Sequence, residues 1–112
     1  MKFYKIGEEI VASESALAVG EEMVPNTTDA AGEKHVPVIK IEGSNVAVAV
    51  GSVEHPMLPA HYIQWILLET TTGCQKKKLV PDDKPFATFV VDSPVVAAYE
   101  YCNLHGLWKA DA

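Results

Sequence analysis

His35-Val36-Pro37-Val38-Ile39-Lys40-Ile41-Glu42-Gly43-Ser44-Asn45-Val46-Ala47-Val48-Ala49-Val50 reads with a period of two. His35, Pro37, Ile39 and Ile41 alternate with Val36, Val38 and Lys40. Gly43-Ser44-Asn45 then turns the chain, and Val46, Val48 and Val50 alternate with alanines. Side chains two apart share one face of an extended strand, so the stretch predicts a hairpin with one face turned to a core. Gly51 ends it, and the prolines up to Pro59 exclude a central strand or a long helix there.

The same pattern continues downstream. His61 opens a strand with Ile63, Trp65 and Leu67 on one face and Tyr62, Gln64, Ile66 and Leu68 on the other. Both faces are largely apolar, which predicts a central strand covered on both sides. Thr70 to Gly73 turns the chain, and Gln75 to Val80 is an edge strand whose Lys76, Lys77 and Lys78 deter edge-to-edge pairing. Pro81 to Pro85 is a loop, and Phe86 to Val91 and Val95 to Cys102 are strands separated by Asp92-Ser93-Pro94. About seven short strands with regular turns and no long helical period predict an all-β fold, an immunoglobulin-like antiparallel β-sandwich.

Residues 1–30 read differently. Phe3 to Val11 predicts a short strand and turn, Ser13 to Val19 has no firm period, and Glu21 to Asp29 is a polar connector. The expected division is an N-terminal appendage or connector over 1–30 and a β-sandwich domain over 31–112.

Composition bounds the function. A chain of 112 residues, 48% hydrophobic and 21% charged, suits one soluble domain with a real core. No apolar run approaches the ~20 residues that span a bilayer. Nine basic against fifteen acidic residues leave a net charge of −6, against the basic face that nucleic acid or an anionic membrane requires. Met1-Lys2-Phe3-Tyr4-Lys5 is followed by no apolar signal segment, so the expected location is the cytoplasm, where Cys74 and Cys102 stay unpaired with each other.

Chemistry concentrates in three short pieces. A thiol and an imidazole three positions apart in Tyr101-Cys102-Asn103-Leu104-His105-Gly106-Leu107-Trp108 form a soft-metal chelate that suits zinc, copper or iron. The other histidines lie in Glu33-Lys34-His35-Val36-Pro37 and in His55-Pro56-Met57-Leu58-Pro59-Ala60-His61. A lone histidine is usually a surface or hydrogen-bonded core residue, and a lone cysteine a small buried hydrophobe. Here all four histidines stand beside Pro, Gly or a strand end, so the pieces read together as one mononuclear metal centre. Cys74 and Met57 keep the packing reading. A blue-copper electron-transfer site would use Cys102, two histidines and a weak Met57, and a structural zinc would close with four ligands. Five candidates exceed both.

These three motifs, in this order, resemble the superoxide reductase family (desulfoferrodoxin and neelaredoxin), and the likeness spans about residues 26–110. The resemblance implies one non-haem iron per chain, bound by His35, His55, His61 and His105 with Cys102 as axial thiolate. It implies one-electron reduction of superoxide to hydrogen peroxide. Lys34 would attract the anion, and Glu33 would bind the oxidised metal. A small redox protein such as rubredoxin is the implied electron donor, and a dimer or tetramer the implied assembly. Two-iron members carry a rubredoxin-like domain with four cysteine ligands ahead of the catalytic domain. Met1 to Val24 contains no cysteine, so this segment resembles a shortened, metal-free remnant.

Overall fold

The computed structural model describes residues 1–29 and 34–112, and its ten strands form three antiparallel sheets. In chain order the strands are β1 (Lys2–Ile6), β2 (Glu9–Ser13), β3 (Glu21–Met23), β4 (Pro37–Glu42), β5 (Asn45–Val50), β6 (Ile63–Thr70), β7 (Gly73–Lys78), β8 (Phe86–Val90), β9 (Val95–Cys102) and β10 (Gly106–Asp111). The last seven make the sandwich. One sheet has the order β10-β9-β6-β7, and the facing sheet has the order β4-β5-β8.

The opening hairpin forms as its period requires. β4 pairs with β5 from Pro37 opposite Val50 to Glu42 opposite Asn45, and Gly43 adopts φ +61° in the turn, a left-handed conformation that a Cβ would strain. Val46, Val48 and Val50 are buried against Ile66, Leu68, Ala98 and Cys102 of the facing sheet, with Leu79, Ala87 and Phe89 completing this core. The all-β immunoglobulin-like sandwich is the observed fold.

β6 is central, between β9 and β7, as its two apolar faces predict. The face assignment changes at one end. Ile63 packs in the sandwich core with Ile66 and Leu68, whereas Trp65 and Leu67 point the other way. A register shift between Ile63 and Trp65 against β9 is the cause, because an extra residue in one strand inverts the alternation beyond it.

Two further differences concern the chain ends. The sequence pattern gives no strand after Cys102, yet β10 runs back along β9 from Gly106, which turns at φ +84°. At the other end, the predicted single strand and turn is a three-stranded sheet of order β2-β1-β3. Its Phe3 is buried with Trp65, Leu67, Ala97, Tyr99 and Leu107, on the side of β6 and β9 that the sandwich core leaves open. This second cluster explains why β6 is apolar on both faces. Beyond β3, Asn26 bridges Trp108 in parallel, donating from its N–H to the Leu107 carbonyl (2.9 Å) and accepting from Lys109 N–H (2.9 Å). That pairing carries the chain along β10 and delivers Asp29 to the end of the sandwich where the histidines lie.

Candidate metal centre

His35 stands just ahead of β4, His55 and His61 lie in the loop between β5 and β6, Cys102 is the last residue of β9, and His105 is in the turn to β10. All five converge. One ligand atom from each lies within 4.8 Å of every other. Glu33 lies outside the described residues.

The four imidazoles close a ring in the order His35, His55, His61, His105. Neighbouring centroids are 4.7 to 4.9 Å apart, and neighbouring planes cross at 67° to 79°. The nitrogens point inward: His35 Nε2 is 3.1 Å from His105 Nδ1 and 3.3 Å from His55 Nε2. Donors at the corners of a square with such sides lie roughly 2.2–2.3 Å from its centre, just beyond the ~2.0–2.1 Å of ordinary metal–imidazole bonds. Cys102 Sγ lies 3.7 Å from His55 Nε2 and 3.8 Å from His105 Nδ1.

Such crowding of lone pairs is unfavourable without a cation among them. His61 Nε2 is buried with no hydrogen-bond partner among the described residues, a cost that a bound metal would remove. The donors are also chemically ready. Burial, followed by the charges of neighbouring imidazoles, lowers the pKa of His35 and His61. His55 is pushed down to about 4, mainly by burial and against a hydrogen bond to Pro56 O. Neutral imidazole is the ligating form. Burial pushes the Cys102 thiol up, which keeps it protonated until a cation displaces the proton. Residues and geometry fit a single metal ion held by four nitrogens and one sulfur.

Outer contacts orient the ring. His55 Nδ1 donates to the Pro56 carbonyl at 2.7 Å, and since that oxygen only accepts, the Nε2 lone pair faces inward. Asp29 accepts from the backbone N–H of His35 (Oδ1, 3.0 Å) and of Val36 (Oδ2, 3.0 Å), and its Oδ1 lies 3.5 Å from His35 Nδ1. Trp108 stacks on His35 at 4.7 Å and 18°, and its Nε1–H donates to the His105 carbonyl at 3.1 Å. Lys34 is exposed, and its charge is among the causes that lower the His61 pKa. Asp29→Asn removes one acceptor and the charge. It is expected to weaken metal binding roughly 10–100-fold, the usual effect of losing an outer partner of a metal-bound histidine, as read by competition with a chromophoric chelator.

Glu100 is wholly buried two residues before Cys102, on the same face of β9. Neither of its carboxyl oxygens has a hydrogen-bond partner among the described residues. Burial first, and then the Asp29 charge, hold its pKa well above the usual carboxylate range. The sequence motifs contain Trp108 but assign it no contact, Glu100 stands just ahead of one of them, and Asp29 reads only as part of a polar connector. No period or spacing links Asp29 to His35, because the connection is made through β10.

Fold and site together define a β-sandwich that brings four imidazoles and one thiol to a candidate site for a single metal ion. The desulfoferrodoxin family model matches residues 27–111, and the chain belongs to that family. It is 58% identical over 90 residues to the desulfoferrodoxin of Clostridium acetobutylicum, an alignment covering 80% of this chain and 70% of that one. Among solved structures it is similar to the superoxide reductase of Treponema pallidum, with a TM-score of 0.76 and 42% identity, covering 97% of this chain and 84% of that one. The one-iron superoxide reductase of Giardia intestinalis matches with a TM-score of 0.61 and 35% identity, over 72% of this chain and 98% of that one.

Proposed function

We infer that this protein is a superoxide reductase that uses one iron ion per chain, held by His35, His55, His61, His105 and Cys102. The observation that carries this reading is the closed ring of four imidazoles with the Cys102 sulfur beside it. A blue-copper reading is not favoured, since that site uses two histidines and this ring offers four. Iron held by this donor set would supply one-electron chemistry: superoxide would gain one electron, from Fe(II) going to Fe(III), and two protons to become hydrogen peroxide.

The chain's own residues do the rest. His35, His55, His61 and His105 as neutral imidazoles and Cys102 as a thiolate would bring a single negative charge to the metal and would keep a reduced centre electron-rich. The apolar packing around Cys102 keeps water from the sulfur. Superoxide is an anion and the chain carries −6, so the field of the whole protein repels it. Screening confines that repulsion to about 8–10 Å at ordinary ionic strength, so nearby positive charge decides capture. Lys34 provides it, and Glu33, by family likeness, is proposed to bind the oxidised metal. Lys34→Met is expected to slow superoxide capture several-fold at low ionic strength, with the difference shrinking as salt rises, measured by pulse radiolysis or stopped flow. An unchanged rate would remove Lys34 from the mechanism.

A small one-electron carrier such as rubredoxin is the proposed donor, and a dimer or tetramer the proposed assembly. The cytoplasm is the proposed location; among the described residues no helix is long and apolar enough to cross a membrane. Residues 1–30 are proposed to be a metal-free remnant of a rubredoxin-like domain, a reading supported by the absence of cysteine in that segment. Metal analysis tests the core of the proposal: about one iron per chain, with a sulfur-to-iron absorption band that bleaches on reduction, is the expected result.

A further inference from the structure

Three separate chain segments supply the five candidate ligands, and no covalent link fixes the loop carrying His61 against the turn carrying Cys102 and His105. One side chain spans them. Asn103 Nδ2 donates to the Ala60 carbonyl at 3.0 Å, and Asn103 Oδ1 accepts from the Tyr62 N–H at 2.9 Å. The Asn103 backbone N–H also donates to the Tyr62 carbonyl at 3.2 Å. Ala60 and Tyr62 flank His61, so peptide groups on both sides of that ligand are tied to the residue that follows Cys102.

The turn so held is already closed on itself. Leu58 and His61 exchange both backbone hydrogen bonds, at 2.9 and 3.0 Å. His61 therefore moves with its turn as a unit, and Asn103 fixes where that unit sits. His61 Nε2, with no hydrogen-bond partner of its own among the described residues, exerts no hold from its inner end.

We propose that Asn103 is a positioning residue that sets His61 against Cys102 and His105 and thereby completes the fourth corner of the imidazole ring. An amide is the group the geometry requires, because it carries a donor and an acceptor at the two ends of one plane. Aspartate would keep the bond from Tyr62 N–H but turn a carboxylate oxygen toward the Ala60 carbonyl. Glutamine would displace the amide by about 1.5 Å, one carbon–carbon bond. This role rests on the reading of the five side chains as a metal site.

The test uses the full chain, stripped of metal and titrated with Co(II), whose visible spectrum reports ligand number and geometry. Wild-type protein is expected to bind about one Co(II) per chain with a sulfur-to-cobalt band. Asn103→Ala and Asn103→Asp are expected to keep the far-UV circular dichroism of the wild type. Their Co(II) affinity should fall roughly 10–100-fold, with a shifted ligand-field spectrum that signals loss of a nitrogen. A purely structural role would lower the melting temperature and leave that spectrum alone, and this outcome overturns the proposal. A wild type that binds no Co(II) or Fe(II) overturns the metal-site reading and the proposal with it, a result distinguishable from the first. Should a variant fail to fold, amide exchange in the wild type decides: Tyr62 and Asn103 N–H are expected to be protected, and rapid exchange at both would refute the clamp.

Discussion

Cys102→Ser is expected to abolish superoxide reduction, lowering the rate more than about a hundredfold, equivalent to at least ~2.7 kcal/mol of lost transition-state stabilisation. Cys102 is wholly buried, and its sulfur lies 3.7 Å and 3.8 Å from two of the ring nitrogens. Serine nearly matches its shape, so the sandwich persists at a cost of about 1–3 kcal/mol for a hydroxyl buried among Val, Ile and Leu side chains. What serine cannot match is the sulfur's softness and its readiness to ionise. A buried alcohol does not give a stable alkoxide at neutral pH, so the donor set loses both its negative charge and its polarisable atom. Stopped-flow reduction of superoxide, alongside iron content and the sulfur-to-iron band, separates loss of metal from loss of reactivity. A serine variant with full iron and wild-type turnover would show that the sulfur only anchors the metal.

Phe3→Ala is expected to lower the unfolding free energy by about 3–5 kcal/mol, the usual cost of emptying a buried phenylalanine site. Phe3 is 1% exposed, stacks on Trp65 at 6.1 Å and meets the Tyr99 ring at 4.6 Å. Around it, the Tyr99 hydroxyl donates to Glu69 Oε1 at 2.8 Å, and the N-terminal amine lies 4.0 Å from Glu69 Oε2. Against a total stability of about 5–15 kcal/mol for a domain of this size, such a loss would leave the variant close to unfolding. Urea denaturation measures it. The sandwich core and the imidazole ring share no side chain with the Phe3 cluster. Metal binding at low temperature should therefore survive. A loss below about 1 kcal/mol would mean that the N-terminal sheet hangs on the sandwich as a loose appendage.

Much of the sandwich was legible because strand periodicity is a local property. Val46, Val48 and Val50 announce one buried face without reference to any partner, and Gly43 announces the turn between β4 and β5. β6 announces burial on both sides through its run of large apolar residues. What covers its second face was not legible, because Phe3 lies some sixty residues away and the small, weakly periodic segment after it carries no signal for a three-stranded sheet. β10 was hidden for a related reason. Its Gly106, Leu107 and Trp108 read as the end of a chelating stretch until pairing with β9 gives them a strand's alternation.

The ligand set shows the same division. His35, His55, His61, Cys102 and His105 stand out in the chain by residue type and by their places beside Pro, Gly or strand ends, and no other set of side chains offers that donor chemistry. Residue type and local period thus determined which atoms can bind a metal and which strands carry them. Tertiary structure decided that four rings close in one order around a common centre, and that Asp29, Asn103 and Trp108 hold them there. The physical reason is range. Donor chemistry and strand alternation are written within a few residues, whereas an angle between two imidazoles, or a hydrogen bond from Asn103 to Ala60, exists only after distant segments have packed.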